Sequence, residues 1–153
     1  MTGGLVPQGS DYPMPFNRTL VYRAWSGILL VVAFCAGCSD INWERDYDKG
    51  MQRAIQQQRR VLLQFYSPMC SDCRRMDDEV LSDPDVQRVL ARYLPIRVDM
   101  MFNRRLAEQM NVVLTPTFVV MRPERTGMNV IASRSGFSDK EEFRLFLIKN
   151  ALY

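Results

Sequence analysis

The chain has 153 residues, of which 47% are hydrophobic, and a formal net charge of +3, so it is long enough for one domain plus an extension. It contains no histidine, which excludes histidine acid–base catalysis and most zinc and haem sites. Lysine and arginine form no run longer than a doublet, and the chain therefore lacks a basic tract of the kind that binds nucleic acid.

Residues 1–37 are predicted to be a signal peptide with an N-terminal extension. Arg23 precedes an uncharged apolar stretch, 28–34, which small residues follow, and this is the layout of a secretory signal. The uncharged run from Ala24 to Ser39 is short for a membrane-spanning helix, which needs about 20 residues. A signal-anchor helix is the alternative, because snorkelling of Arg23 would extend the helix. The signal can begin at Met1 or at Met14.

The signal ends in Ala36-Gly37-Cys38, which resembles a bacterial lipobox, although Cys35 stands where such motifs usually carry leucine. The resemblance implies that Cys38 is lipidated and becomes the mature N-terminus. It also implies a lipid anchor in the periplasm or cell envelope. Cys35 and Cys38 form a C-x-x-C as well, but a second redox pair or a four-cysteine zinc site is disfavoured because this pair lies inside the apolar segment.

After the signal, the chain predicts one domain over residues 38–153. An apolar stripe through Tyr47, Met51 and Ala54 indicates a helix that ends near Gln58. The run 61–66, rich in valine, leucine and phenylalanine, predicts a buried strand.

Cys70-Ser71-Asp72-Cys73 follows this strand and opens a stretch that predicts a helix from Cys73 through Leu81. The first thiol would then lie at a strand-to-helix junction, where unpaired backbone N–H groups and the helix dipole stabilise a thiolate. This position favours thiol–disulfide exchange over a structural crosslink.

The rest of the chain predicts further alternating elements. Ser82-Asp83-Pro84 indicates the start of a helix, and Ser138 is expected to cap the last helix, with Glu141 completing a capping box. Strands are predicted at 94–100, 117–121 and 130–133, and another helix at 103–110. The order predicts an α/β fold with a central mixed sheet of about four strands and helices on both faces.

Several of these segments resemble the thioredoxin family. The strand and turn 65–73, the pair Val98-Asp99, the segment 112–118 and the pair Gly136-Phe137 occur in the family's order. The run from Glu79 to Val86 is similar to the periplasmic C-terminal domain of transmembrane thiol:disulfide interchange proteins and to stand-alone lipoprotein relatives. The resemblance covers about Trp43 to the C-terminus and implies a thioredoxin fold with a cis bond at Thr115-Pro116.

The resemblance also implies roles for individual residues. Cys70 would be the nucleophile, and Cys73 would resolve the mixed disulfide. Asp77 matches an acidic position of the interchange-protein group and would assist proton transfer, with a solvated surface carboxylate as the alternative. Many relatives carry a buried aspartate where this chain has Gln64. Contacts with the client protein are expected from Met69, Ser71, Asp72, Thr115 and Pro116.

These features together predict a thiol:disulfide oxidoreductase that reduces protein disulfides in the bacterial cell envelope. It would be a monomer without cofactor or bound metal, and a transmembrane interchange protein would supply its electrons. The charge of Asp72 should oppose the Cys70 thiolate and that of Arg74 and Arg75 should favour it, which predicts a reducing pair. The alternatives are an oxidase or isomerase, or a non-catalytic assembly factor that binds clients or a metal.

Overall fold

The computed structural model of the protein describes residue 1 and residues 41–124 and 128–151. The architecture reported below belongs to the second of the chain's two units, Asp40–Tyr153. The predicted signal peptide beyond Met1, with Cys38, lies outside the described residues. None of the helices described has the length and apolarity needed to cross a bilayer.

The centre of the domain is one mixed sheet with the strand order β2-β1-β3-β4. β1 pairs parallel with β2 and antiparallel with β3, and β3 pairs antiparallel with β4. The strands are β1 (Val61–Tyr66), β2 (Leu94–Asp99), β3 (Thr117–Pro123) and β4 (Met128–Ser135). The predicted mixed sheet of four strands is confirmed.

The helices connect and cover these strands. They are α1 (Tyr47–Gln57), α2 (Ser71–Arg75), α3 (Pro84–Leu90), α4 (Arg104–Gln109) and α5 (Lys140–Ala151). α2 continues without a break as a π-helical segment, Met76–Leu81. The predicted start at Cys73 is wrong by two residues, because Cys70 takes the capping position and places the first helical residue at Ser71.

Two apolar cores lie on the two faces of the sheet. Leu63 and Phe65 of β1 pack on one face with Ala54 of α1 and Ala107 of α4. On the other face, the core combines residues of β1 and β3 with residues of the π-helical segment, α3 and α5: Leu62, Phe118, Met76, Leu90 and Phe143. Because alternate residues of β1 enter different cores, a one-residue slip would exchange the two sets, and this fixes the register.

The close packing of α1 against β2 depends on a glycine. A Cβ built on Gly50 would lie 2.4 Å from Cδ1 and 2.7 Å from Cγ1 of Ile96, which is fully buried. The absence of a side chain at this position therefore lets the helix approach the edge strand.

The last helix begins differently from the prediction. The Glu142 N–H donates to Asp139 Oδ1 at 2.9 Å, so Asp139 is the N-terminal cap. Ser138 is buried, and its N–H donates to the sulfur of Met76 at 3.5 Å. The predicted cap at Ser138 and its capping box with Glu141 are wrong. Ser138 is buried in the core, and the carboxylate of Asp139, the next residue, accepts from the first turn of the helix instead.

Candidate active site

The Cys70 sulfur lies at the N-terminal end of α2 and caps that helix. The backbone N–H of Cys73 donates to Cys70 Sγ at 3.0 Å, and this bond favours the negatively charged form of the sulfur. Cys70 is partly exposed, whereas Cys73 is 2% exposed. The pair therefore has one accessible sulfur and one shielded sulfur.

The two thiols differ in acidity for reasons visible in the structure. Partial burial raises the pKa of Cys70, but hydrogen bonds with Cys73 and Thr115 outweigh it, so this pKa lies below the ordinary value. The nearby charge of Asp72 opposes that shift. Burial raises the pKa of Cys73 to about 11, and its hydrogen bond with Cys70 adds to the effect. At neutral pH the proton therefore leaves Cys70 in preference to Cys73.

A turn between α4 and β3 faces the thiols. The Thr115-Pro116 bond is cis, as predicted, and the Thr115 carbonyl oxygen lies 3.3 Å from Cys70 Sγ. The N–H of Gly136, a residue with a φ of 81° that favours glycine, donates to the Pro116 carbonyl at 2.8 Å. The hydroxyl of Thr117 donates to the Leu114 carbonyl at 2.8 Å. Hydrogen bonds thus hold the turn beside the Cys70 sulfur.

The predicted client-contact residues lie around the thiols. Met69 precedes Cys70 and is 91% exposed, Ser71 is exposed, and Asp72 is half-buried. Pro116 is buried, and its carbonyl already accepts from a backbone N–H, so the accessible part of this turn is Thr115.

Asp77 lies one helical turn after Cys73, and its partner is an arginine that the sequence analysis did not identify. Arg97 of β2 donates through Nη2 to Asp77 Oδ2 at 2.8 Å. The guanidinium of Arg97 also lies 4.2 Å from the centroid of the Tyr66 ring. Arg97 alternates with the apolar residues Ile96 and Val98 in the predicted strand, so its side chain leaves the strand on the opposite face of the sheet. This alternation was the available signal for the pair.

An apolar groove adjoins the thiols, and the sequence analysis did not predict it. It has a volume of about 460 Å³ and runs between Ser67 and Thr115 on one side and the start of α4 on the other. Exposed apolar side chains line it: Val113 at 83%, Met101 at 59% and Leu114 at 45%. Arg104 and Glu108 of α4 also line it. The available signal was two apolar runs in predicted loops, 101–102 and 112–114.

The arrangement supports two-electron sulfur chemistry. In the described part of the chain, no group of three or more His, Cys, Asp or Glu side chains is placed to hold a metal ion. Cys70 and Cys73 are free thiols separated by one helical turn, a spacing at which a dithiol can close to a disulfide and open again.

Comparison with known proteins agrees with this geometry. A family model described as a thioredoxin-like domain matches residues 47–150. Over 94 residues, the chain is 31% identical to the thiol:disulfide interchange protein DsbD of Pectobacterium atrosepticum. That alignment covers 58% of this chain but 16% of the other protein, so the chain spans about one sixth of this curated relative.

Solved structures share the fold. The solution structure of a thioredoxin from Thermus thermophilus is 29% identical, with a TM-score of 0.67 over 74% of this chain and 89% of that chain. The reduced C-terminal domain of DsbD from Neisseria meningitidis is 20% identical, with a TM-score of 0.59 over 67% of this chain and 92% of that chain. The predicted thioredoxin fold is confirmed by these matches.

Proposed function

Because the chain belongs to the thioredoxin-like family, we propose that it is a thiol:disulfide oxidoreductase that reduces protein disulfides in the bacterial cell envelope. The observation that carries the proposal is the partly exposed Cys70 sulfur, which caps α2 and lies against the Thr115 carbonyl. The likeness to DsbD supports thiol–disulfide exchange in general. The envelope location and the reductive direction are our inferences.

The first step forms a mixed disulfide. The Cys70 thiolate attacks one sulfur of the client disulfide, a Cys70–client bond forms, and the client disulfide breaks, releasing its other sulfur as a thiolate. The N–H of Cys73 stabilises the attacking sulfur before the bond forms. We propose that Met69, Ser71, Asp72 and the Thr115-Pro116 turn contact the client chain at this stage.

The second step releases the reduced client. Cys73 loses its proton and attacks Cys70 Sγ, so the Cys70–Cys73 bond forms and the Cys70–client bond breaks. The client has then gained two electrons and the protein has lost two. We propose that Asp77 assists removal of the Cys73 proton. An external dithiol, supplied by a transmembrane interchange protein, would return the pair to its reduced form.

The reductive direction is supported by opposing effects on the pKa of Cys70, which hydrogen bonds lower and which burial and the charge of Asp72 raise. Strong stabilisation of the reduced form makes a dithiol pair oxidising, and here the charge of Asp72 works against it. Arg75 lies 4.0 Å from Asp72 but also pairs with Glu79, so its charge is shared between two carboxylates. A reduction potential near −270 mV would support a reductase, whereas one near −120 mV would mean an oxidase.

Catalysis can be tested with purified protein and insulin as the disulfide substrate. We expect the wild type to reduce insulin in the presence of a dithiol donor, and Cys70→Ser to lose this activity completely. Cys73→Ser should accumulate a Cys70–client mixed disulfide that gel electrophoresis detects without reductant. If Cys70→Ser retains activity, or if the wild type only binds clients stoichiometrically, the proposed catalytic function is wrong.

The envelope location is a separate proposal that rests on the Ala36-Gly37-Cys38 motif. We propose that Cys38 carries the lipid and that the domain is membrane-associated as a monomer. Intact-mass analysis of the membrane fraction should show a diacylglyceryl mass on a chain that begins at Cys38, and Cys38→Ala should abolish it. Cys35→Ala, three residues earlier, is the matched control and should keep the lipid.

A further inference from the structure

Gln64 is an unexpected side chain in the core of this domain. It lies in β1, the central strand, and none of its surface is exposed. Neither its amide nitrogen nor its amide oxygen has a hydrogen-bond partner in the part of the chain that the structure describes. Burying an amide without partners is costly because its hydrogen bonds with water are lost, and each such group in a native fold needs an explanation.

Arg97 carries another buried group of the same kind beside Gln64. The two residues are paired in the parallel register of β1 and β2, and the Nε of Arg97 is also buried, with no partner among the described residues. The far end of this guanidinium is committed to Asp77 and stacks on Tyr66. Two polar atoms of Gln64 and one of Arg97 thus lack hydrogen-bond partners among the described residues, and the two residues are adjacent in the strand register. Buried waters typically make about three hydrogen bonds to groups of this kind.

This polar site lies under the active-site helix, which is α2 with its π-helical continuation Met76–Leu81. Leu62, two residues before Gln64 and on the same sheet face, packs with Met76 of the π-helical segment. Cys73 is buried one turn before that segment, and Asp77 reaches from it to Arg97. Asp77, one helical turn after Cys73, is therefore the residue of this helix that reaches the Gln64–Arg97 pair.

The groups that act on the Cys73 thiol come from few elements. Cys70 of its own turn, Ser67 and Thr115 form hydrogen bonds with Cys73. The charged groups of the next helical turn and of β2 are Asp77 and Arg97, which pair with each other. From the described parts of β1, β3 and α5, the side chains in this core other than Gln64 are apolar: Leu62, Phe118, Val120, Phe143 and Leu147. Glutamine cannot accept the thiol proton as a base, so position 64 can contribute only by hydrogen bonding.

We propose that Gln64 and Arg97 hold a buried water behind the active-site helix, and that this water relays the proton of Cys73 to Asp77 during resolution. The inference rests on the proposed function, since it assigns a role within the same reaction. Arg97 Nε–H donates to the water, and Gln64 Oε1 accepts from it. The remaining lone pair and hydrogen of the water face the thiol and the carboxylate.

The relay keeps every bond accounted for. As Cys73 Sγ attacks Cys70 Sγ, the Cys73 S–H bond breaks and its proton joins the water, which passes its own proton to Asp77. The S–S bond within the protein forms, and the client sulfur leaves as a thiolate. Asp77 is half-buried, so its carboxyl then releases the proton to solvent. Gln64 Nε2 remains to donate toward the forming Cys73 thiolate.

The experiment separates this relay from a purely structural role. A fluorescent peptide is attached to Cys70 as a mixed disulfide, and its first-order release by Cys73 is followed across pH. Gln64→Leu, which keeps the size of the side chain, should slow release about tenfold at neutral pH and move the pH midpoint up by about one unit. Attack of Cys70 on a client disulfide should stay unchanged. Gln87→Leu is the matched control, because Gln87 already donates to the Leu81 carbonyl.

A second variant and a direct observation complete the test. Arg97→Lys keeps a cation but removes the Nε–H donor, so it should shift the pH profile of release in the same direction as Gln64→Leu. It replaces Gln64→Leu in the test if that variant does not fold. A crystal structure of the reduced wild type should show a water within hydrogen-bond distance of Gln64 and Arg97. Unshifted release profiles in both variants, or no water there, would overturn the relay.

The two proposals fail in different ways. If the wild type reduces insulin and the variants release peptide with wild-type profiles, the relay is wrong and the oxidoreductase function stands. If the wild type with both thiols reduced exchanges with no disulfide, the proposed function is wrong and the relay falls with it.

Discussion

The sulfur of Cys70 lies 3.3 Å from the carbonyl oxygen of Thr115, although 45 residues separate the two along the chain. The contact forms because β1 and β3 are antiparallel neighbours, so the turn after β1 and the turn before β3 meet at the same end of the sheet. A client chain that reaches Cys70 must therefore pass the backbone at Thr115, which lies next to the apolar groove.

The unequal acidity of the two thiols predicts an order of alkylation. In the reduced protein, the pH midpoint for Cys70 should lie below that of a free thiol, about 8.5, while Cys73 should resist until about pH 11. Asp72→Asn should lower the Cys70 midpoint further, because it removes a charge that raises this pKa. Asp78→Asn, an exposed carboxylate on the same helix, is the control. Iodoacetamide labelling with mass spectrometry measures both midpoints, and a rise on Asp72→Asn would contradict the assignment.

Burial of Cys73 predicts that the reduced domain loses stability in alkali. In the folded protein the pKa of this thiol is raised to about 11, so the unfolded chain ionises first and the stabilisation present at neutral pH is lost as pH rises toward 11. The loss in free energy of unfolding should be on the order of 2 kcal/mol. Urea unfolding near pH 8 and near pH 11 measures it. Cys73→Ala should flatten this pH dependence, and equal slopes in both proteins would refute the prediction.

The apolar groove predicts a specific effect on substrate affinity. Val113 is 83% exposed at the groove, so Val113→Asp should leave folding intact and raise the KM for a protein disulfide several-fold by placing a charge against apolar client side chains. Leu145→Asp is the matched control, since Leu145 is 52% exposed on α5 and does not line the groove. Equal effects of the two substitutions would argue against client binding in the groove.

The close approach of α1 to β2 predicts that Gly50→Ala destabilises the fold. Alanine improves helix propensity by up to about 1 kcal/mol, but its Cβ would overlap Ile96, and overpacking of this kind costs about 1–3 kcal/mol. We expect a net loss of roughly 1 kcal/mol in thermal or urea unfolding. Ile96→Val removes the Cδ1 atom that lies at 2.4 Å, so the double variant should show less loss than the two single losses predict.

Sequence patterns predict the elements whose signal is confined to a few consecutive residues. The strand Val61–Tyr66 agrees with its apolar run at both ends, and Asp83 caps α3 through bonds from Asp85 and Val86. The π-helical segment escapes prediction because its buried residues also fit the spacing of an α-helix. The cap at Asp139 escapes it because a serine and an aspartate stand side by side, and only the core decides which one is buried.

The candidate site divides in the same way. Cys70, Cys73 and the cis bond before Pro116 follow from short motifs and from the family resemblance. The Asp77–Arg97 ion pair joins residues 20 apart and depends on β2 being the neighbour of β1. The groove depends on two loops that meet only after the sheet has formed. Such features need the tertiary arrangement, which no local pattern specifies.

The Cys70 sulfur is both the proposed reactive atom and the cap of α2, and this combination makes one backbone amide a reporter of the oxidation state. The atom that we propose exchanges electrons also accepts from the backbone amide of Cys73, the third residue of α2. When the thiolate becomes a disulfide it loses its negative charge and accepts that amide less strongly. The protection of a single backbone proton, at Cys73, therefore rises and falls with the oxidation state. Hydrogen exchange at the Cys73 amide would therefore report the fraction of the pair that is reduced, without any added dye.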